Sequence, residues 1–270
     1  MTIMDLKILA FLTCLIVLNT GCSQHKHPKE ISYSLEKNAT FIENKTSTSN
    51  DLWRRLRHGL KFRQHYKHPE LDKKKHWDQD QQIYINKITE RGKRYIFHII
   101  GEMEANNIPL EFALLPAIES GYNPLSYSSK HAGGLWQFIP ATARLYGLKN
   151  DSWYDARIDL IKSTDAAIDY LQYLHKRFNE DWLIALAAYN AGEGTVRRAI
   201  RKNQKEGRPT DFWSLKLPTE TTSYVPRLLI LSRIISNPSK YSVSLPSLAN
   251  HPYFKSVTVS SQINLAKAVE

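Results

Sequence analysis

Cysteine is almost absent from this sequence. Only Cys14 and Cys22 occur in 270 residues, and Cys14 lies inside an apolar run over residues 8–18. That run has the length of the hydrophobic part of a secretory signal and is too short to span a bilayer comfortably. Because removal of the signal removes Cys14, the exported chain would form no internal disulfide, and its stability must come from core packing.

The sequence also lacks the motifs of several common chemistries. Its ten histidines are scattered, with no His-Glu-x-x-His spacing and no cysteine pair at the spacing of zinc ligands. We therefore expect no metal and no cofactor. The sequence contains no Gly-x-Ser-x-Gly nucleophile elbow and no Walker-type phosphate loop. We interpret Gly192-Glu193-Gly194 as a turn between two helices.

Acidic residues are fewer than basic ones. The chain has 26 acidic and 37 basic residues, a formal net charge of +11. Such an excess predicts a polyanionic partner, and nucleic acid, an anionic cell wall and a membrane surface all satisfy the same electrostatics. The 42% of hydrophobic residues is ordinary for a globular protein, so we expect a folded body.

The N-terminus predicts export. Residues 1–21 resemble a bacterial lipoprotein signal, in which cleavage leaves Cys22 lipidated at the new N-terminus; an ordinary cleaved signal is the alternative. Asn19 stands where such signals usually have Leu. Ser23, rather than Asp, favours the outer membrane facing the periplasm. Residues 22–50 are polar and without a sustained period, as in a flexible tether. Nucleic acid is then an unlikely partner.

The rest of the chain shows helical periodicity, and no stretch alternates convincingly with a period of two. We therefore predict a mainly α fold. Residues 51–105 form a basic N-terminal helical region, whose charges are expected mainly on a solvated face. Further helices are predicted over Trp136–Leu145, from a cap at Ser163 to Phe178, over Trp182–Tyr189 and Thr195–Arg201, and over Val225–Ile235, entered through Pro226.

Five short runs occur in order along this helical body. They are Glu119-Ser120, Gly134-Leu135-Trp136-Gln137, Ala188-Tyr189-Asn190-Ala191-Gly192, Asp211-Phe212-Trp213 and Glu220-Thr221-Thr222-Ser223-Tyr224-Val225-Pro226. The first three resemble the signature motifs of lytic transglycosylases with a goose-lysozyme-like (SLT) catalytic domain. Together with the other two, they are most similar to the membrane-bound murein transglycosylase D group.

The resemblance implies a lysozyme-like (goose-type) helical domain with an N-terminal helical extension. Residues 106–205 would be the SLT catalytic core, 206–245 its C-terminal helical part and 246–270 a tail. Members of the group usually continue into LysM modules, and the sequence beyond residue 245 is too short for one. Retention at the wall is then expected from the lipid anchor and the basic N-terminal region.

Glu119 is the predicted catalytic residue. It ends an apolar helix, so desolvation and the helix dipole should raise its pKa and keep the acid protonated near neutral pH. The resemblance implies that Glu119 first protonates the glycosidic oxygen and then, ionised, takes a proton from the C6 hydroxyl of N-acetylmuramic acid. The substrate's 2-acetamido group assists, and a 1,6-anhydro sugar is formed. A second carboxylate stays open, with Asp155, Glu193 and Glu220 as candidates.

The resemblance also implies five substrate-binding residues. Ser128 would hydrogen-bond the acetamido group or Glu119, Gln137 would contact the sugar with Trp136 packed under it, and Tyr189 would reach the catalytic region. Asn190 would shape the turn behind Tyr189, and Glu220 would line the cleft. Each has a purely structural alternative: a turn for Ser128, the core for Tyr189 and a helix cap for Glu220.

These residues lead to a function with alternatives. We expect an enzyme, a peptidoglycan lytic transglycosylase of the cell envelope that is monomeric and attached to the membrane through its lipid anchor. A hydrolytic muramidase of the same fold is the first alternative, because water can complete the reaction in a cleft with one carboxylate. A non-catalytic wall-binding lipoprotein is the second.

Overall fold

A computed structural model describes residues 50–73 and 80–255. The signal, Cys22, nearly all of the tether and residues 256–270 lie outside the described residues. Within the described ranges, extended pairing is limited to isolated bridges, and the predicted mainly α class is confirmed. The α-helices are α1 (Leu52–His58), α2 (Gln81–Gly92), α3 (Ile96–Ala105), α4 (Leu115–Glu119), α5 (Pro140–Leu145), α6 (Leu160–Arg177), α7 (Trp182–Ala191), α8 (Glu193–Lys205) and α9 (Thr219–Ser236).

Short 3₁₀ helices connect several of these elements, at Arg63–Lys67, Pro69–Asp72, Leu110–Leu114, Phe212–Ser214 and Pro238–Tyr241. Across the described part of the chain, no helix has both the length and the apolar character needed to cross a membrane. Those same residues contain no group of three potential metal ligands placed to hold an ion.

Aspartates cap four of the described α-helices. The side chains of Asp51, Asp80, Asp159 and Asp181 accept hydrogen bonds from backbone N–H groups in the first turns of α1, α2, α6 and α7. Each satisfies a donor that has no partner within the helix. The prediction that Ser163 caps α6 is wrong, because Ser163 lies inside the helix and its hydroxyl donates to the carbonyl of Asp159.

Two predicted helix boundaries also differ. The helix predicted over Trp136–Leu145 is only α5, because Gln137 has a left-handed φ of +50° and Gly133 and Phe138 bond each other's backbones. Pro226 lies inside α9 rather than at its start. Proline cannot donate to the carbonyl four residues earlier, yet buried neighbours such as Val225 and Leu229 keep this helix against the core.

One hydrophobic core runs through the described residues. Apolar residues at three- and four-residue spacings on α2 and α3 are fully buried in it; they are Ile85, Ile88, Ile96, Ile99, Ile100 and Met103. In the N-terminal region, the core also buries Trp53, Leu56, Leu60 and Phe62. The predicted domain boundaries stay a prediction.

Charged side chains hold the N-terminal region against this core. Arg55, expected on a solvated face, is buried and forms a bidentate ion pair with Glu104. Glu111 is fully buried and accepts hydrogen bonds from the backbone N–H groups of Lys61 (3.0 Å) and Phe62 (2.7 Å) and from the hydroxyl of Tyr66 (3.1 Å). A carboxylate so placed joins two segments 50 residues apart.

Removing the Glu111 carboxylate should therefore destabilise the fold. We expect Glu111→Ala to lower the free energy of unfolding by about 3 kcal/mol, because three donors lose their acceptor in a buried site. Urea unfolding of the full chain measures this. Glu90→Ala is the matched control: Glu90 is exposed and pairs only with Lys93, so its loss should stay within about 0.5 kcal/mol. Equal losses in the two variants would contradict the role given to Glu111.

Candidate active site

Glu119 is the last residue of α4, as the sequence predicted. The chain then turns sharply, with left-handed φ at Gly121 and Tyr122. The hydroxyl of Ser120 lies within hydrogen-bonding distance of the carbonyls of Pro116 (3.1 Å) and Leu135 (3.0 Å). The Glu119-Ser120 pair thus connects the end of α4 to the loop that carries the second motif.

Glu119 is partly buried, and protein atoms crowd its carboxyl. Burial raises its pKa to about 7; a hydrogen bond from the hydroxyl of Tyr224 opposes this rise, and the negative charge of Glu220 adds to it. The raised pKa agrees with the expectation from the sequence. A carboxyl with this pKa is available at neutral pH both as an acid and as a base.

Tyr224 was not singled out from the sequence. It lies on α9, within the quoted run from Glu220 to Pro226, and donates to Glu119 Oε1. A local signal existed: Tyr224 follows Glu220 by four residues, so the two share one face of a helix. The direction of that face, however, depends on the packing of α9 against the rest of the core.

Ser128 supports its own turn in this structure. Its exposed side chain accepts from the backbone N–H groups of Lys130 (3.2 Å) and Ala132 (3.1 Å). The described hydrogen bonds of Ser128 include none to Glu119. The turn role therefore accounts for its contacts, and its substrate contact stays a prediction.

Gln137 is held by both hydrogens of its amide. Nε2 donates to the carbonyls of Ser126 (3.0 Å) and Gly134 (2.9 Å), which leaves the amide oxygen as the atom available to a ligand. Trp136 does not fit the role foreseen for it. Its ring is fully buried and its indole N–H donates to Thr164 Oγ1 (3.1 Å), so it cannot pack under a bound sugar.

Arg157 connects the loop that carries Gln137 to the segment that contains Asp155. Its guanidinium pairs with Asp155 and donates to the carbonyls of His131 (2.7 Å) and Phe138 (3.3 Å). Gly134 packs directly on the backbone of Arg157: a Cβ there would lie 1.8 Å from its carbonyl oxygen, and the φ of +80° also favours glycine. The glycine of the second motif is therefore a steric requirement.

The three candidates for a second carboxylate have different surroundings. Partial burial works to raise the pKa of Asp155, but the bonds from Arg157 and Tyr127 outweigh it and lower that pKa to about 2. Glu193 accepts from the Tyr173 hydroxyl and pairs with two arginines, Arg177 and Arg197. Of the three, Glu220 alone acts on the pKa of Glu119.

Tyr189, Asn190 and Glu220 lie together beside Glu119. The hydroxyl of Tyr189 donates to the carbonyl of Trp136 (2.8 Å), and burial, followed by the charge of Glu119, raises its pKa. Asn190 accepts from Thr221 (2.7 Å) and donates to Glu220 (3.4 Å). Glu220 is exposed, lies in the first turn of α9 without capping it, and also pairs with Lys130 at 3.3 Å. This pair joins α9 to the loop of Gln137.

Comparisons with known proteins place this site in a family. Residues 98–212 match the family described as Transglycosylase SLT domain. The chain is 44% identical over 187 residues to membrane-bound lytic murein transglycosylase D of Escherichia coli (strain K12), covering 69% of this chain and 41% of the relative. It is 41% identical over 174 residues to a protein of Alteromonas sp. (strain M-1) named for tributyltin chloride resistance, covering 63% of this chain and 82% of the relative. The chain belongs to the transglycosylase SLT family.

The chain spans less than half the length of the transglycosylase D relative. Among solved structures, the lytic transglycosylase Slt of Pseudomonas aeruginosa is 22% identical, with a TM-score of 0.39, covering 54% of this chain and 24% of that one.

The surroundings of Glu119 predict opposite effects of two isosteric substitutions. Tyr224→Phe removes the hydrogen bond that lowers the pKa of Glu119, so that pKa should rise above about 7. Glu220→Gln removes the neighbouring negative charge, so the pKa should fall. Titration of the ¹³C-labelled Glu119 carboxyl by NMR measures both. Glu193→Gln, in a carboxylate paired with two arginines, is the control and should leave the value unchanged. Shifts of the same sign in the first two variants would refute this assignment of causes.

Proposed function

We propose that this protein is a peptidoglycan lytic transglycosylase. It cleaves the β-1,4 bond between N-acetylmuramic acid and N-acetylglucosamine and leaves a 1,6-anhydromuramic acid end. The observation that carries the proposal is the Glu119 carboxyl, which burial gives a pKa of about 7, at the point where the family motifs meet. The lytic murein transglycosylase relatives support the same substrate class.

A carboxyl with this pKa suits both proton transfers of the reaction. In the first, protonated Glu119 donates to the glycosidic oxygen as the bond from C1 to that oxygen breaks and the substrate's acetamido group assists at C1. In the second, ionised Glu119 accepts the proton of the C6 hydroxyl as O6 bonds C1. Glu119 ends the cycle protonated, and no water is consumed. A pKa near the working pH balances the acid and base roles.

One carboxylate suffices for this sequence of steps. Most glycosidases need a second carboxylate as nucleophile or base. Asp155 and Glu193 are occupied by Arg157, Arg177 and Arg197, and Glu220 is engaged with Lys130 and Asn190. Their ion pairs support a mechanism in which the substrate itself supplies the second group.

The neighbouring residues are assigned to substrate positioning. The free amide oxygen of Gln137 suits the N–H of an acetamido group, since both hydrogens of its Nε2 are used within the loop. Tyr224 orients Glu119, and Tyr189 forms the wall behind it. Ser128, Asn190 and Glu220 line the cleft.

The proposed location is the cell envelope. The relative named as membrane-bound supports it, and the net charge of +11 suits an anionic wall. We propose further that Cys22 carries a lipid anchor in the outer membrane, facing the periplasm, and that the chain acts as a monomer. Recovery of a lipid-modified Cys22 from the outer-membrane fraction tests the anchor.

The reaction products distinguish transglycosylase from hydrolase. We expect mass spectrometry of purified sacculi digested with the protein to show muropeptides with 1,6-anhydromuramic acid ends, which weigh one water less than their reducing counterparts. The reason is that the C6 hydroxyl, rather than water, attacks C1. Reducing ends alone would establish the hydrolytic muramidase, and release of no fragment would favour the wall-binding lipoprotein.

Glu119→Gln tests the assignment of the catalytic group. The amide is nearly isosteric but neither donates the required proton nor ionises, so we expect kcat to fall by about 10³-fold or more while the thermal unfolding midpoint stays close to that of the parent. Glu193→Gln is the matched control and should keep most of the activity, because its ion pairs hold it away from this role. Full activity of Glu119→Gln would refute the mechanism.

A further inference from the structure

Three exposed aromatic side chains lie beside the loop that carries Gln137. The exposed fraction is 95% for Trp153, 52% for Tyr127 and 39% for Tyr154. Single exposed hydrophobic residues are common on protein surfaces, whereas a group of them marks a contact site. These three are grouped, because the hydroxyl of Tyr127 donates to Asp155 at 2.7 Å, and Asp155 directly follows Trp153 and Tyr154 in the chain.

Trp153 is presented by an ordered turn. Asn150 and Asp155 form an antiparallel bridge, and the Asp151 N–H donates to the carbonyl of Tyr154 (2.9 Å). The Asp151 side chain accepts from the backbone N–H groups of Trp153 (2.8 Å) and Tyr154 (2.9 Å). We call residues 149–156 the Trp153 hairpin. These bonds hold the backbone of the turn while the indole projects outward. Binding of a ligand to the indole therefore costs little backbone conformational entropy.

The other two rings are held by polar neighbours. Tyr127 lies under the guanidinium of Arg157 at 5.4 Å. Tyr154 donates to Asp159 (2.7 Å) and lies under Lys162 at 5.0 Å. In the described part of the chain, no hydrogen bond or ring contact engages the indole of Trp153. Of the three rings, the indole of Trp153 is therefore the one most available to a ligand.

This surface adjoins the loop that carries Gln137. Tyr127 stands between Ser126, whose carbonyl accepts from Gln137, and Ser128, and its backbone pairs with Gly133. Trp153 lies two residues from Asp155, at most about 7 Å of backbone. A polymer seated at Glu119 and Gln137 extends beyond both, and the aromatic surface borders the loop of Gln137.

The chemistry of the surface favours a sugar over a lipid. Sugar rings have apolar C–H faces that stack on the electron-rich face of an aromatic ring, and hydroxyl edges that bond to polar groups. Polar groups of both signs rim this surface: the carboxylates of Asp151, Asp155 and Asp159 lie there with Arg157 and Lys162. Such a mixed rim suits the neutral hydroxyl edges of a sugar, whereas binding to anionic lipid headgroups uses a cluster of basic residues.

We infer that Trp153, with Tyr127 and Tyr154, forms a remote subsite that stacks on a sugar of the glycan strand away from the bond that is cut. This inference rests on the proposed function for the identity of the strand. The subsite increases affinity for long strands and adds nothing for fragments that fill only the cleft around Glu119.

Binding in a non-cutting background tests the subsite. In full-length Glu119→Gln protein, we compare the dissociation constants for short and long N-acetylglucosamine oligomers, and for purified glycan strands, with and without Trp153→Ala. We expect Trp153→Ala to weaken binding of the long ligands roughly 2- to 10-fold, the range of one aromatic stacking contact, and to leave the short ones unchanged. Trp153→Phe should restore most of the affinity.

Controls separate this inference from its alternatives. Tyr253→Ala removes an exposed aromatic ring on a different segment and should not alter binding. Equal affinity of Trp153→Ala and its parent for long strands would overturn the inference. So would a loss confined to vesicles of phosphatidylglycerol, because that outcome assigns the surface to lipid. If binding of long strands depends on Trp153 but the wild-type protein cuts no sacculi, the proposed function alone is refuted. If the wild-type protein cuts sacculi but binding does not depend on Trp153, the subsite alone is refuted.

Discussion

A buried guanidinium holds together the two loops on the cleft side of the molecule. Arg157 is almost inaccessible to solvent, and a charge in such a site needs an opposite charge and acceptors for its N–H groups. It finds them in Asp155 and in the carbonyls of His131 and Phe138. The loop of Gln137 and the Trp153 hairpin are therefore held relative to each other by this side chain, together with the hydrogen bond from Tyr127 to Asp155.

The pKa of Glu119 depends on opposing effects of burial and hydrogen bonding. Burial alone would make the carboxyl a weak acid that rarely ionises, and the hydrogen bond from Tyr224 moderates that effect. The result, a pKa of about 7, suits a group that must give and accept a proton in one cycle. The charge of Glu220 acts in the same direction as burial, so its ion pair with Lys130 also bears on the acid.

Much of the fold could be predicted because helices carry their information locally. Buried positions recur at three- and four-residue spacings, and this pattern is a property of short stretches of chain. The failures occur where distant contacts override local preference. A helix was predicted to begin at Trp136, yet a left-handed Gln137 is stabilised by bonds to Ser126 and Gly134, and the helix begins only at Pro140. Pro226, a residue that usually stops or starts a helix, is retained inside α9 by burial on both sides.

Some features of the candidate site could likewise be predicted from the sequence, and others depend on the tertiary structure. The sequence alone determined the helical class, the position of Glu119 at a helix end and the motifs that single it out, because these are properties of short stretches of chain. Only the tertiary structure decided which carboxylates are occupied by arginines, that Trp136 is buried rather than available to a sugar, and that Trp153 is exposed. It also decided that Tyr224 bonds Glu119 across 105 residues of sequence. A pKa is set by what surrounds a group in space, and residues so far apart become neighbours only when the core has packed.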